Sequence, residues 1–270
     1  MKKLLLLAFV VLLATITPGF AAPIGPLATM DDKGLFYGIG YSYVDTDWEP
    51  ETEGSTFYSA ENLETQQHQV QVHLGLNFAK GWSAYVGGGL STIKAENAYR
   101  TSSADADAGA DFNPDAFEDD FSPYGTAGFH GALYDGRTLD VGFFAQVNYH
   151  SEFEDEIVST GDLGSGTESF RENFKLEMEW DGVAGLLLQG ELEGALLYGG
   201  PIFYTSKADA ESVITGQISG ISRTRTEVEE SESVGAVAGV RWMLKNDVSL
   251  DLELQKRSQL NVGLTLNKYF

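Results

Sequence analysis

Residues 70–78 read VQVHLGLNF. Every even-numbered position is apolar: Val70, Val72, Leu74, Leu76 and Phe78. Gln71, His73, Gly75 and Asn77 stand between them. Successive side chains of a β-strand point to opposite faces, so this segment has one apolar and one polar face. The same period of two recurs from residue 34 to the end. It is visible in residues 35–43, 82–92, 121–133, 139–149, 176–188, 234–244, 248–254 and 261–270. Residues 195–205 also read as a strand, with the two faces in competition. Residues 176–188 set Met178, Trp180, Ala184 and Leu186 against Glu177, Glu179 and Asp181. The pattern predicts about ten strands, within a range of eight to twelve.

The connections alternate in length. Residues 79–81, 134–137, 189–192 and 245–247 are short turns. Residues 45–64, 96–120, 153–173 and 206–231 are long, polar and acidic, and read as loops. Short turns at one end and long loops at the other are the signature of an outer-membrane barrel, with the turns in the periplasm. An even strand number places both ends of the barrel on the short-turn side.

The beginning of the chain agrees. Lys2 and Lys3 precede an apolar run over residues 4–13, Pro18 and Gly19 break it, and Gly19-Phe20-Ala21 presents small residues at a cleavage site. Residues 1–21 read as a secretory signal peptide, too short for a spanning helix. Residues 22–33 then form a periplasmic N-terminal segment and residues 34–270 the barrel. The chain has no Cys, 17 Lys and Arg against 40 Asp and Glu, and a formal net charge of −23. That balance argues against nucleic acid as a partner. Yet 31 glycines and 12% aromatic residues argue against disorder and fit a closed antiparallel sheet.

A secreted β-sandwich would also alternate. Two features favour the barrel. The polar face is rich in Gly, Ser, Asn and Gln, as a crowded lumen requires. Phe78, Trp82, Trp242 and Tyr269 cluster beside the short turns, where an aromatic girdle meets the membrane interface. The last segment, NVGLTLNKYF, alternates Val262, Leu264 and Leu266 and ends on Phe270. In these features the chain resembles the small outer-membrane β-barrel proteins of Gram-negative bacteria, the class of the OmpA-like barrels and small porins. The resemblance implies a single transmembrane antiparallel β-barrel in the outer membrane. It also implies that Phe270, Leu266, Leu264 and Val262 form the signal read by the barrel-assembly machinery. Lys268 departs from the pattern, and a long side chain there can snorkel to the interface.

Chemistry-bearing patterns are few. His-x-Ser and Asp-x-His arrangements of barrel enzymes are missing; His150 and Ser151 are adjacent and face opposite sides. The reading is non-enzymatic, with no cofactor. Asp105, Asp107, Asp111 and Asp115 place oxygens at every second or fourth residue, a weak candidate for divalent cations that lacks the order of a calcium loop. Glu177, Glu179, Asp181, Asp251 and Glu253 read as lumen carboxylates, with Lys175 and Arg241 as counter-charges. Two functions follow. One is a narrow porin-like or passive transport barrel with an acidic lumen. The other is a structural or surface-interaction barrel with a filled lumen, which meets outer-membrane lipids and lipopolysaccharide and displays acidic loops.

Overall fold

The computed structural model describes residues 23–27, 34–50, 63–96, 117–162, 167–216 and 220–270. These residues form twelve strand segments: β1 (Gly34–Pro50), β2 (Leu63–Ala79), β3 (Trp82–Glu96), β4 (Phe117–Asp135), β5 (Asp140–His150), β6 (Phe153–Asp162), β7 (Thr167–Leu192), β8 (Ala195–Gly216), β9 (Gly220–Glu230), β10 (Val234–Met243), β11 (Val248–Lys256) and β12 (Leu260–Tyr269). All pair antiparallel, and β12 returns to β1. Two segments are the upper halves of interrupted strands. β7 pairs with β5 through residues 181–189 and with β6 through residues 167–176. β8 pairs with β10 through residues 195–203 and with β9 through residues 207–216. Ten staves therefore close the lower barrel through the β12–β1 pairing, while β6 above it pairs with β7 alone.

Closure is what lets a sheet cross lipid, because every backbone group finds its partner inside the wall. The lower part has the matching polarity. Leu35, Ile39, Val72, Leu74, Val86, Val147, Leu186 and Leu266 point outward and are exposed, while Gln69, Gln71, Ser83, Thr126, Gln146, Asn148 and Asn267 point inward and are buried. This is a water-soluble protein turned inside out, and it is a transmembrane β-barrel. The 11 residues of β5, at the usual rise and barrel tilt, give a wall about 25 Å tall. Near the periplasmic turns Phe78, Trp82, Phe129 and Phe143 stack on the outer face, with Trp82 5.5 Å from Phe129 and 5.8 Å from Phe143. Exposed Tyr149, Phe121, Phe203 and Trp180 mark the other border of the apolar band.

Just beyond that border the wall is interrupted at one height. In β4, Ser91 faces Ser122 but Ile93 faces Asp119, so β4 bulges at Asp120–Phe121, with Phe121 at φ 64°. β5 and β6 break at residues 151–152, β9 and β10 at residues 231–233, and the β11–β12 hairpin turns at residues 257–259. In β7, Met178 faces Ala208 and Trp180 faces Lys207, which leaves Glu179 as the extra residue. A bulge or break shifts the alternation by one. Below it Asp181, Val183 and Leu187 face in; above it Phe174, Leu176 and Met178 face in.

Above this ring the chain forms a second tier. β11 and β12 are too short to reach it, so β9 pairs directly with β1 through Trp48–Glu230. Eight staves surround this tier, and side chains fill a ring of that size. Its interior is an apolar core of Trp48, Leu63, Ile93, Phe117, Phe153, Phe174, Leu176, Met178 and Val228. Its outer face carries charge, including Arg223–Glu211 at 2.7 Å and Lys175–Glu152 at 2.6 Å. The hydrogen bond that the Lys175 ammonium donates to Glu152 holds its pKa above the ordinary value.

This tier shows what the long acidic connections at 153–173 and 206–231 are made of. Both are β-hairpins whose strands continue beyond the membrane. Their outward residues are charged and many inward ones are small, such as Ala208 and Ala210, so their alternation is faint in the sequence. Much of loops 45–64 and 96–120, with Asp105, Asp107, Asp111 and Asp115, lies outside the described residues, as does the expected signal peptide 1–21.

Candidate functional site

Parity decides what lines the lumen. Trp242 faces out on β10 and Leu250 and Leu252 face out on β11, so Arg241, Asp251 and Glu253 face in. The turn at residues 245–247 is closed by the Leu244 N–H donating to the Val248 carbonyl at 2.7 Å, and Arg241 stands opposite Asp251. The guanidinium binds both carboxylate oxygens, Nε to Oδ1 at 2.7 Å and Nη2 to Oδ2 at 2.6 Å. Asn267 and Ser249 donate to the same carboxylate at 2.9 and 3.2 Å. His73 Nε2 lies 2.7 Å from Asn267 Oδ1. Tyr269 and Phe36 close this layer towards the periplasm, with the Tyr269 ring 5.7 Å from the guanidinium carbon.

A second layer surrounds Glu253. Residues 23–27 lie inside the barrel, not in the periplasm as residues 22–33 were expected to. The N–H groups of Ile24 and Gly25 donate to the two oxygens of Glu253, each at 2.8 Å. The Tyr198 hydroxyl donates at 2.9 Å and the Gln255 amide at 2.7 Å. Four donors thus converge on one buried carboxylate and occupy its acceptor positions. Ile24 and Leu27 pack on the inward residues Phe144, Val183, Leu187, Ile202 and Val237. Nothing in the alternation of strands reveals that a segment outside them fills the lumen, which is why the position of residues 23–27 escapes sequence reading.

The third layer belongs to Arg257, a residue the strand pattern leaves unassigned because it sits at the hairpin turn. It continues the inward parity of Asp251, Glu253 and Gln255, and that signal could have found it. Its guanidinium reaches Asp181 at 2.7 Å and Glu230 at 2.6 Å, and it lies 4.8 Å over the Tyr204 ring. Asn148 donates to Asp181 at 2.9 Å and Ser258 to Glu230 at 2.9 Å. Above this layer the apolar core begins. The space beside residues 23–26 and Arg241 is about 50 Å³, and that between Arg257 and Trp48 about 10 Å³. Such volumes hold a few waters at most.

Arg241, Asp251, Glu253 and Asp181 thus share the lumen in separate hydrogen-bonded layers. Lys175 and Glu177 do not belong there. The Glu179 bulge turns them outward, where Lys175 lies 4.0 Å from Glu177; the side chain of Glu179 is outside the described residues. Phe270, Leu266 and Leu264 are exposed on the lipid face, and Phe270 stacks on Tyr37 at 5.6 Å. Val262 is on the same face but covered by its neighbours. Lys268 lies 3.8 Å from Asp247 and 5.7 Å from the Phe270 ring. Phe78, Trp82 and Trp242 lie on the girdle side. Tyr269 does not: one residue before a lipid-facing Phe270, parity turns it inward onto Arg241. His150 stacks on Tyr124 at 5.4 Å, while Ser151 Oγ bonds Ser122 Oγ at 2.6 Å. Among the described residues, no group of three or more His, Asp or Glu side chains is placed to hold a metal ion.

No protein-family model matches the chain, and no curated protein matches it. Solved outer-membrane barrels share its general form. The outer membrane protease OmpT from Escherichia coli is 10% identical over 92% of this chain and 100% of its own, with a TM-score of 0.48. The translocator domain of the autotransporter NalP from Neisseria meningitidis is 11% identical over 88% of each chain, with a TM-score of 0.44. The transport unit of the autotransporter AIDA-I from Escherichia coli is 11% identical over 93% of each chain, with a TM-score of 0.40.

Proposed function

We propose that the protein is a non-conducting outer-membrane barrel, in which the lower tier anchors and the upper tier is the surface presented outside the cell. The observation that supports this reading is the filling of the lumen. Three layers of paired polar groups and an internal chain segment occupy the membrane tier, and an apolar core occupies the tier above. A porin-like barrel needs a continuous aqueous path; the space of about 110 Å³ beside the short turns at Lys80 and Asp135 leads only to lumen cavities of about 50 and 10 Å³. In this reading the barrel has no catalytic step, its apolar band contacts outer-membrane lipids, and lipopolysaccharide surrounds the upper tier. The assembly machinery reads the end at Phe270. Planar-bilayer recording of the refolded mature chain tests the reading. The expected result is membrane insertion without unitary conductance steps; stable ohmic openings would refute it in favour of the narrow porin.

A further inference from the structure

Residues 23–27 are held as a ligand is held. Two adjacent backbone N–H groups converge on one carboxylate, and Gly25 adopts φ +77°, in the region that favours glycine. Glu253 has no ion pair among the described residues, unlike Asp251 with Arg241, or Asp181 and Glu230 with Arg257. Half of the donors that satisfy it come from the segment. The wall opposite supplies an apolar cradle in an otherwise polar lumen. Phe144, Leu187 and Ile202 are almost fully covered there, next to Ile24 and Leu27. Two glycines leave the room. A Cβ on Gly263 would overlap the Pro23 ring, and one on Gly142 would overlap Leu27 and the Gly131 carbonyl. Leu27 also lies among Gly81, Tyr134 and Asp140 beside the periplasmic turns, so the segment enters from that side.

We propose that the lumen contains a periplasm-facing peptide-binding site. The site takes a short segment with two adjacent free amide N–H groups flanked by aliphatic side chains. Its occupant is the chain's own residues 23–27. The recognition elements are the Glu253 carboxylate, the Tyr198 hydroxyl that orders it, the apolar cradle and the clearance at Gly263. The Arg257 layer and the apolar core fill the barrel above this site, so bilayer recording tests the proposed function and the labelling below tests the site.

The absence of native cysteine gives a direct test. In the refolded mature chain, Ile24→Cys should react with a charged maleimide at least about tenfold more slowly than Lys80→Cys, which is placed on an exposed turn. Adding Gly263→Ala, whose Cβ would lie nearest to three atoms of the Pro23 ring, should remove that protection. Equal labelling at positions 24 and 80 in the otherwise unaltered barrel would overturn the proposal. The second arm uses a chain lacking residues 22–27, checked for folding by heat-modifiable gel mobility. A fluorescent Ala-Pro-Ile-Gly-Pro-Leu peptide should bind it saturably and leave the intact chain unlabelled. A scrambled peptide should bind about tenfold more weakly, as should the native peptide to a Glu253→Gln version. A folded truncation that does not distinguish native from scrambled peptide would reduce the segment to filler and overturn the site. Should the truncation fail to fold, the cysteine arm decides by itself.

Discussion

Replacing Arg241 by Ala should destabilise the barrel far more than replacing Lys175 by Ala. Arg241 makes a two-point contact with Asp251, and both are buried, with Asp251 2% exposed. Its removal strands a carboxylate that keeps only the neutral donors Asn267 and Ser249. Breaking a buried pair from one side costs about 3–5 kcal/mol. Lys175 pairs with Glu152 on the outer face of the upper tier with a side chain 31% exposed, and such pairs contribute about 0–1 kcal/mol. The two variants should therefore differ by at least about 2 kcal/mol, roughly thirtyfold in the unfolding equilibrium. Urea titration of barrels refolded into lipid vesicles, followed by tryptophan fluorescence and gel mobility, measures this. A double replacement, Arg241→Met with Asp251→Leu, should recover most of the loss, because it removes the stranded charge with its partner. Equal midpoints for Arg241→Ala and Lys175→Ala would refute the reasoning, as would a double variant less stable than Arg241→Ala alone.

Two further outcomes follow. The Glu179 bulge makes Glu177→Cys reactive towards a water-soluble maleimide in the folded protein and Met178→Cys inert; the reverse order would mean that β7 alternates without interruption. Deleting Phe270, which stacks on Tyr37, should leave export to the periplasm intact but lower the amount of heat-modifiable barrel in the outer membrane, and unchanged levels would separate this residue from assembly.

The lower tier is legible in the sequence because one physical rule governs it. Lipid outside and a crowded polar lumen inside enforce strict alternation, so VQVHLGLNF can be read directly and parity alone sets Arg241 against Asp251. Legibility ends where the surroundings change. In β7 the even residues from Phe174 to Leu188 are mostly apolar without a visible break. The same stripe serves two purposes, interior above Glu179 and lipid face below it. Unbroken parity therefore puts Lys175 and Glu177 in the lumen, and only the bulge corrects it. Tyr269 shows the opposite error, since an aromatic next to a terminal Phe attracts a girdle reading although its own parity points inward. The insertion of residues 23–27 has no periodic signature at all. It is visible only as complementarity between a short apolar segment and two lumen glycines.

The ring of bulges and breaks also fixes how deep the molecule sits. Moving the barrel down by one strand residue, about 3.3 Å along the chain, would bring Glu177 and Lys175 towards hydrocarbon. Moving it up would lift Trp180, Phe203 and Tyr149 out of their border. Charged residues cost more the deeper they enter the bilayer, up to about 2–4 kcal/mol for Lys or Arg at its middle. A spanning helix can answer a change in membrane thickness by tilting. A closed wall whose apolar stripe changes sides at one height has no such freedom. The surrounding lipids must thin or thicken to fit it, so this barrel is expected to impose a local bilayer thickness on its neighbours.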